Sequence, residues 1–94
     1  MINYNVTLGA TYYNKPIFNL GAAATLHLSN HDEIVKIILR DQGELTTNIN
    51  RTANKNGSVR LHLGNEWIAF IQTNFVQGDS LAFQVINNNT IQII

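Results

Sequence analysis

The chain has no cysteine, so neither a disulfide framework nor a thiolate metal site is open to it, and the absence is compatible with a reducing compartment. Pro16 is its only proline and Trp67 its only tryptophan. No apolar run approaches the roughly 20 residues that a bilayer-spanning helix needs. The amino end also lacks the charged, apolar, then small-residue order of a signal peptide. A soluble, cytoplasmic protein with no membrane partner is the expectation. Neither sign of charge prevails: Lys plus Arg and Asp plus Glu number 6 each, and the pI is about 6.8. Such a balance argues against a protein that coats nucleic acid through bulk charge.

Catalytic and cofactor signatures are missing as well. Ser29, Ser58 and Ser80 lie in no G-x-S-x-G elbow, and no G-x-x-x-x-G-K phosphate loop occurs. His27, His31 and His62 fall outside the regular zinc spacings. The adjacent carboxylates Asp32 and Glu33 would point to opposite faces of a strand, which disfavours a shared divalent ion. No enzyme activity, metal or cofactor is expected of these residues.

What is present is enough apolar material for one core. With 94 residues, 45% of them hydrophobic, the chain reads as a single domain over 1–94 of modest stability. Alternation dominates it. Ile2, Tyr4, Val6 and Leu8 alternate with polar residues as in a half-buried strand. Gly9 ends this strand, and Thr11-Tyr12-Tyr13-Asn14-Lys15 reads as a polar and aromatic loop closed by Pro16, with Ile17-Phe18 a short second strand. Asn19 is placed as N-cap of a helix over Leu20 to Leu28, broken by Ser29-Asn30.

Val35, Ile37 and Leu39 then mark one face of a strand from Glu33 to Arg40, and Asp41-Gln42-Gly43 a turn. Two further strands follow, Glu44 to Asn50 and Ser58 to Leu63. Asn65 is expected to cap a helix running to Asn74, whose Trp67, Ile71 and Phe75 recur every four residues beside Ile68 and Phe70. Aromatics at helical spacing are core by base rate, so Trp67 is assigned to packing. After the turn Val76-Gln77-Gly78-Asp79, Leu81, Phe83 and Val85 alternate, and Asn87-Asn88-Asn89 turns the chain into a last strand, Thr90 to Ile94. About seven strands and two short helices result, each strand with one buried face. A sheet of that kind most simply closes, or nearly closes, on itself.

One hairpin departs from the average composition. Residues 48–62 hold three of the six Lys and Arg residues, Arg51, Lys55 and Arg60, together with Asn48, Asn50, Asn54 and Asn56, and no Asp or Glu. If its strands pair through the loop Arg51 to Gly57, their polar face presents Asn48, Asn50, Arg60 and His62 beside the loop cations. A plainer account exists for part of it: Asn54-Lys55-Asn56-Gly57 is also turn-forming, with positive φ expected at Gly57.

The order of elements, with the segment Glu66-Trp67-Ile68-Ala69-Phe70-Ile71 and then Phe75-Val76-Gln77-Gly78-Asp79-Ser80-Leu81-Ala82-Phe83, resembles the B3-like DNA-binding domain. That family occurs in plant transcription factors and in the recognition domains of bacterial restriction endonucleases. The segments Thr11 to Lys15 and Ile49 to Gly57 look more like the bacterial members. The resemblance implies a mainly β fold, a seven-stranded open pseudobarrel with two short helices, that grips the major groove of double-stranded DNA with two arms. It would be a monomeric recognition module, with any nuclease on another polypeptide segment.

By position, the first arm would be Thr11, Tyr12, Tyr13, Asn14 and Lys15, and the second Asn50, Arg51, Thr52, Asn54, Lys55 and Asn56, with Asn48, Ser58, Arg60 and His62 facing the same groove. A major groove admits a two-stranded ribbon, Arg pairs with guanine and Asn with adenine. Arg51 and Arg60 are therefore the guanine candidates, and Asn50, Asn54 and Asn56 the adenine or mixed ones. Lys15 and Lys55 suit phosphate, Thr11, Thr52 and Ser58 neutral backbone contacts. Tyr12 and Tyr13 would meet phosphate or a thymine methyl, or anchor the arm. The competing expectation is a small barrel that binds protein or carbohydrate through the same Asn- and Tyr-rich loops.

Overall fold

The computed structural model describes residues 2–94. In chain order its elements are β1 (Asn3–Thr7), α1 (Ala10–Asn14), β2 (Ile17–Asn19), α2 (Gly21–Thr25), β3 (Ile34–Leu39), β4 (Glu44–Asn48), β5 (Arg60–His62), α3 (Asn65–Asn74), β6 (Ser80–Asn87) and β7 (Thr90–Ile93). Mainly β structure with seven strands agrees with the alternating sequence. The strands form two open sheets, one ordered β1-β6-β7-β3-β4 and the other β2-β5. Within the larger sheet β3 runs parallel to β7 and every other pairing is antiparallel. That one parallel pair arises because the hairpins β3–β4 and β6–β7 lie side by side.

The side-chain period carries over into burial. Val35, Ile37 and Leu39 of β3, Leu81 and Phe83 of β6, and Ile91 and Ile93 of β7 are all buried, while Lys36, Ser80 and Glu44 face solvent. Helix α3 packs across this face. Trp67 stacks on Phe18 of β2 at 5.0 Å and 17°, and Phe18 meets Phe83 edge-on at 5.1 Å. Three aromatic rings thus join the helix to both sheets, a geometry worth about 0.5–1.5 kcal/mol per pair beyond their burial. The core assignment of Trp67 holds, since it is 1% exposed.

Four local expectations change. The stretch 11–15, expected as a loop, lies largely in a third helix, α1, which packs on α3: Tyr13 donates from its hydroxyl to the Phe75 carbonyl at 3.2 Å, and Gln72 donates to the Tyr13 carbonyl at 3.1 Å. Tertiary contact overrides a sequence with little intrinsic helical signal. Helix α2 spans Gly21–Thr25 and not Leu20 to Leu28; Gly21 adopts φ +83°, and beyond Thr25 the chain tightens into i to i+3 bonds, His27 N–H to Ala24 O and Leu28 N–H to Thr25 O. Asn19 is not its N-cap but the last residue of β2. Asn65 is likewise inside α3, whose N-cap is Gly64 at φ +76°, a backbone position that favours glycine.

The fourth change concerns the central hairpin. Strands β4 and β5 do not form a ladder; β5 pairs instead with β2 through Ile17–His62, Phe18–Leu61 and Asn19–Arg60. Among the described residues a single backbone bridge, Asn50 to Arg60, with Arg60 N–H donating to Asn50 O at 2.9 Å, joins the two sheets across the mouth of the loop. Farther along, where β4 and β5 diverge, the Thr47 hydroxyl reaches across to the His62 carbonyl at 2.9 Å.

Candidate functional site

The loop after that bridge is built by its asparagines. Asn50 Oδ1 accepts from the backbone N–H groups of Thr52 at 2.9 Å and Ala53 at 3.0 Å, and from the Thr52 hydroxyl. Asn56 Oδ1 accepts from Ser58 N–H at 3.1 Å and its hydroxyl at 2.7 Å. Between them the Gly57 N–H closes on the Asn54 carbonyl at 3.0 Å, with Gly57 at φ +76° as expected of the turn. These are Asx-type turns, in which a short amide side chain supplies the acceptor a tight loop needs. Their side-chain oxygens are thereby engaged within the loop.

The two arginines assigned to base reading have different surroundings. Arg51 turns back under the loop, donating from Nε to Ser29 O at 2.9 Å and from Nη2 to Thr25 O at 3.0 Å and Leu28 O at 2.8 Å. Its guanidinium caps carbonyls at and just beyond the end of α2, sharing Thr25 O with the Leu28 N–H. Its backbone N–H also donates to His31 Nδ1 at 3.0 Å. Arg60 points the other way, with Nε on Asn19 Oδ1 at 3.0 Å and Nη2 on Asn54 Oδ1 at 3.1 Å.

Around Arg60 a polar network joins the two segments expected as arms. Asn54 Nδ2 donates to Asn19 Oδ1 at 3.2 Å and to Ser58 O at 3.1 Å, and Asn19 Nδ2 donates to the Tyr12 hydroxyl. Tyr12 is on α1, Asn19 on β2, Arg60 on β5 and Asn54 in the loop. Beside this network Lys55, Asn54, Asn56, Ser58 and Asn19 border an open cleft of about 520 Å³, completed by Asn5 and Val6 of β1. Among the described residues the one ion pair is Lys36 with Glu44 at 3.8 Å, between β3 and β4. Lys15, Lys55, Arg51 and Arg60 therefore have no acidic partner there.

Of the expected site residues, Asn54 and Arg60 are brought into direct contact, Tyr12 joins them through Asn19, and Lys55 and Asn56 border them. Thr11, Asn14, Lys15, Thr52 and His62 are exposed. Tyr13 is half-buried and anchors α1, and Asn14 is tied to α1 through the Ala10 carbonyl at 2.7 Å. Ser58 is 7% exposed, its hydroxyl turned onto Asn56, which places it behind the loop surface. Asn48 stands apart as well: its amide donates to the carbonyl and carboxylate of Asp32, both at 3.1 Å. Asn19 was overlooked as a site residue because an asparagine ahead of an alanine-rich run reads as a helix cap. The signal that would have found it is its place one residue beyond Phe18, on the outward face of a short strand.

None of the chain's helices is long and apolar enough to cross a membrane among the described residues. No family model, curated protein or solved structure matches the chain.

Proposed function

We propose that the chain is a sequence-specific double-stranded DNA-binding domain of the B3-like kind, a monomeric cytoplasmic recognition module of a restriction or related defence protein, with any cleavage activity on a separate polypeptide segment. In this reading the two open sheets, stitched at Asn50–Arg60, act as one seven-stranded pseudobarrel. The observation that carries the proposal is the half-buried guanidinium of Arg60, free of any acid and held by two asparagine amides beside an exposed lysine loop. A cation held against solvent without a counter-charge is suited to an anionic or acceptor-rich ligand.

Roles follow from the contacts. Arg60 reads a base edge, Lys55 and Lys15 contact phosphate as point charges, and Thr11, Thr52, Asn56 and His62 contribute from the exposed rim. Arg51, Asn50, Tyr13 and Ser58 shape the surface from behind. The test is selection from an unbiased duplex library at low salt: enrichment of a common sequence is the expected result, and its absence sinks the DNA reading. The cleft lined by Asn5, Asn19, Asn54 and Asn56 favours one second reading, a neutral carbohydrate held by amide hydrogen bonds. Salt separates the two, because release of counterions weakens DNA binding steeply whereas a neutral sugar site barely responds.

A further inference from the structure

We propose that Asn19, a residue of β2 outside both loops, is the positioning residue that makes Arg60 a reader of guanine. The inference rests on the DNA reading above. It follows from which atoms of the network are left over once its internal hydrogen bonds are made.

Guanidinium groups only donate, so the amide atoms that face Arg60 Nε and Nη2 must be the oxygens of Asn19 and Asn54. The Asn54 nitrogen then points to Asn19 Oδ1 and Ser58 O, and the Asn19 nitrogen to the oxygen of Tyr12. Asn19 Oδ1 thus accepts two hydrogen bonds, at 3.0 and 3.2 Å, and has no lone pair left for a ligand. Asn54 Oδ1 faces inward on Arg60. Because the Tyr12 oxygen accepts from Asn19, its own O–H is left to donate elsewhere.

What Arg60 itself presents to a ligand is therefore donors alone: two of its five N–H groups are engaged by the asparagines and three are left over. In the major groove guanine offers two acceptors, N7 and O6, whereas adenine offers one acceptor and one donor. Adenine's amino group would meet a donor where it requires an acceptor. Guanine fits, and Asn19 secures this by occupying Arg60 Nε and by fixing the tilt of the guanidinium plane against β2 and α1.

The experiment uses the full chain and the sequence it selects from a random duplex library. Wild type, Asn19→Ala, Arg60→Ala and the double variant are measured against that site and against duplexes altered one base pair at a time. We expect Asn19→Ala to lose about tenfold in affinity, confined to the guanine whose replacement Arg60→Ala also ceases to notice, and the double variant to be no weaker than Arg60→Ala, since residues of one unit are non-additive. A second readout needs no DNA: the Arg60 Nε–H resonance is protected from exchange in the wild type and loses that protection in Asn19→Ala. Asn19→Thr, which suits a strand, serves the same comparison where the alanine variant does not fold. Equal losses on all duplexes, additive losses in the double variant, an unchanged Nε–H exchange rate, or an Arg60-dependent base other than guanine each overturn this inference while leaving DNA binding intact. Failure to select any duplex overturns both together.

Discussion

Arg51 and Arg60 cannot be told apart by composition: both belong to the same asparagine-rich, acid-free stretch, residues 48–62. Their fates differ because one lies under the loop and the other beside its mouth. Arg51 donates to three carbonyls of the α2 turn, and hydrogen bonds to a charged group are worth about 1.5–3 kcal/mol together with the loss of unsatisfied acceptors. We expect Arg51→Ala to lower stability by about 2–3 kcal/mol, read as a shift of the urea midpoint, without altering preference at any base position. Arg51→Lys should recover less than half of that, because a single ammonium does not reproduce the planar fork. The turn asparagines, by contrast, were legible: Asn54, Asn56 and Gly57 form the tight turn their composition announces, since Asx turns and positive φ are properties of adjacent residues.

At the scale of elements, α3 was readable to its boundaries, Asn65–Asn74, because ten residues of helical periodicity outweigh the ambiguity of its cap. Helix α1 was not, because five residues without a cap cannot hold a helix in isolation and only docking on α3 makes one. The indole N–H of Trp67 is the one buried side-chain polar atom among the described residues without a hydrogen-bond partner. Removing the whole ring and removing only that group should therefore diverge. Trp67→Ala is expected to cost about 3–5 kcal/mol through the cavity it leaves between Phe18 and Phe70. Trp67→Phe should cost well under half as much, since it keeps a stacked ring and relieves an unpaired donor that itself costs about 1–3 kcal/mol. Thermal and denaturant unfolding of the two variants measure the difference.

For the whole molecule, a net charge of +0 limits how much of any affinity for DNA is electrostatic. Among the described residues Lys15 and Lys55 are exposed cations without an acidic partner, and half-buried Arg60 adds only the N–H groups that Asn19 and Asn54 leave over. With the two lysines neutralising phosphate, the logarithm of the binding constant should fall with the logarithm of salt at a slope near −2, since each phosphate contact contributes about −0.9. A slope near −8 would mean that a different, more basic surface engages the duplex. Lys55→Ala should reduce the slope by about one and weaken all duplexes alike.

Alternation within each strand determined from sequence alone which side chains face the core, because a period of two is local and every strand keeps one buried face. The seven strands follow from it, while the core role of Trp67 follows from helical spacing and the turn at Gly57 from its neighbouring asparagines, both equally local. Tertiary structure alone decided that β5 leaves β4 to pair with β2, that residues 10–14 coil into a helix, and that Asn19 joins Tyr12, Asn54 and Arg60. The physical reason is that a hydrophobic pattern specifies inside and outside but not neighbours. An outward-facing amide or guanidinium finds its partner only when strand order brings distant residues to the same place, as it does for Asn19 and Arg60 across 41 positions of chain.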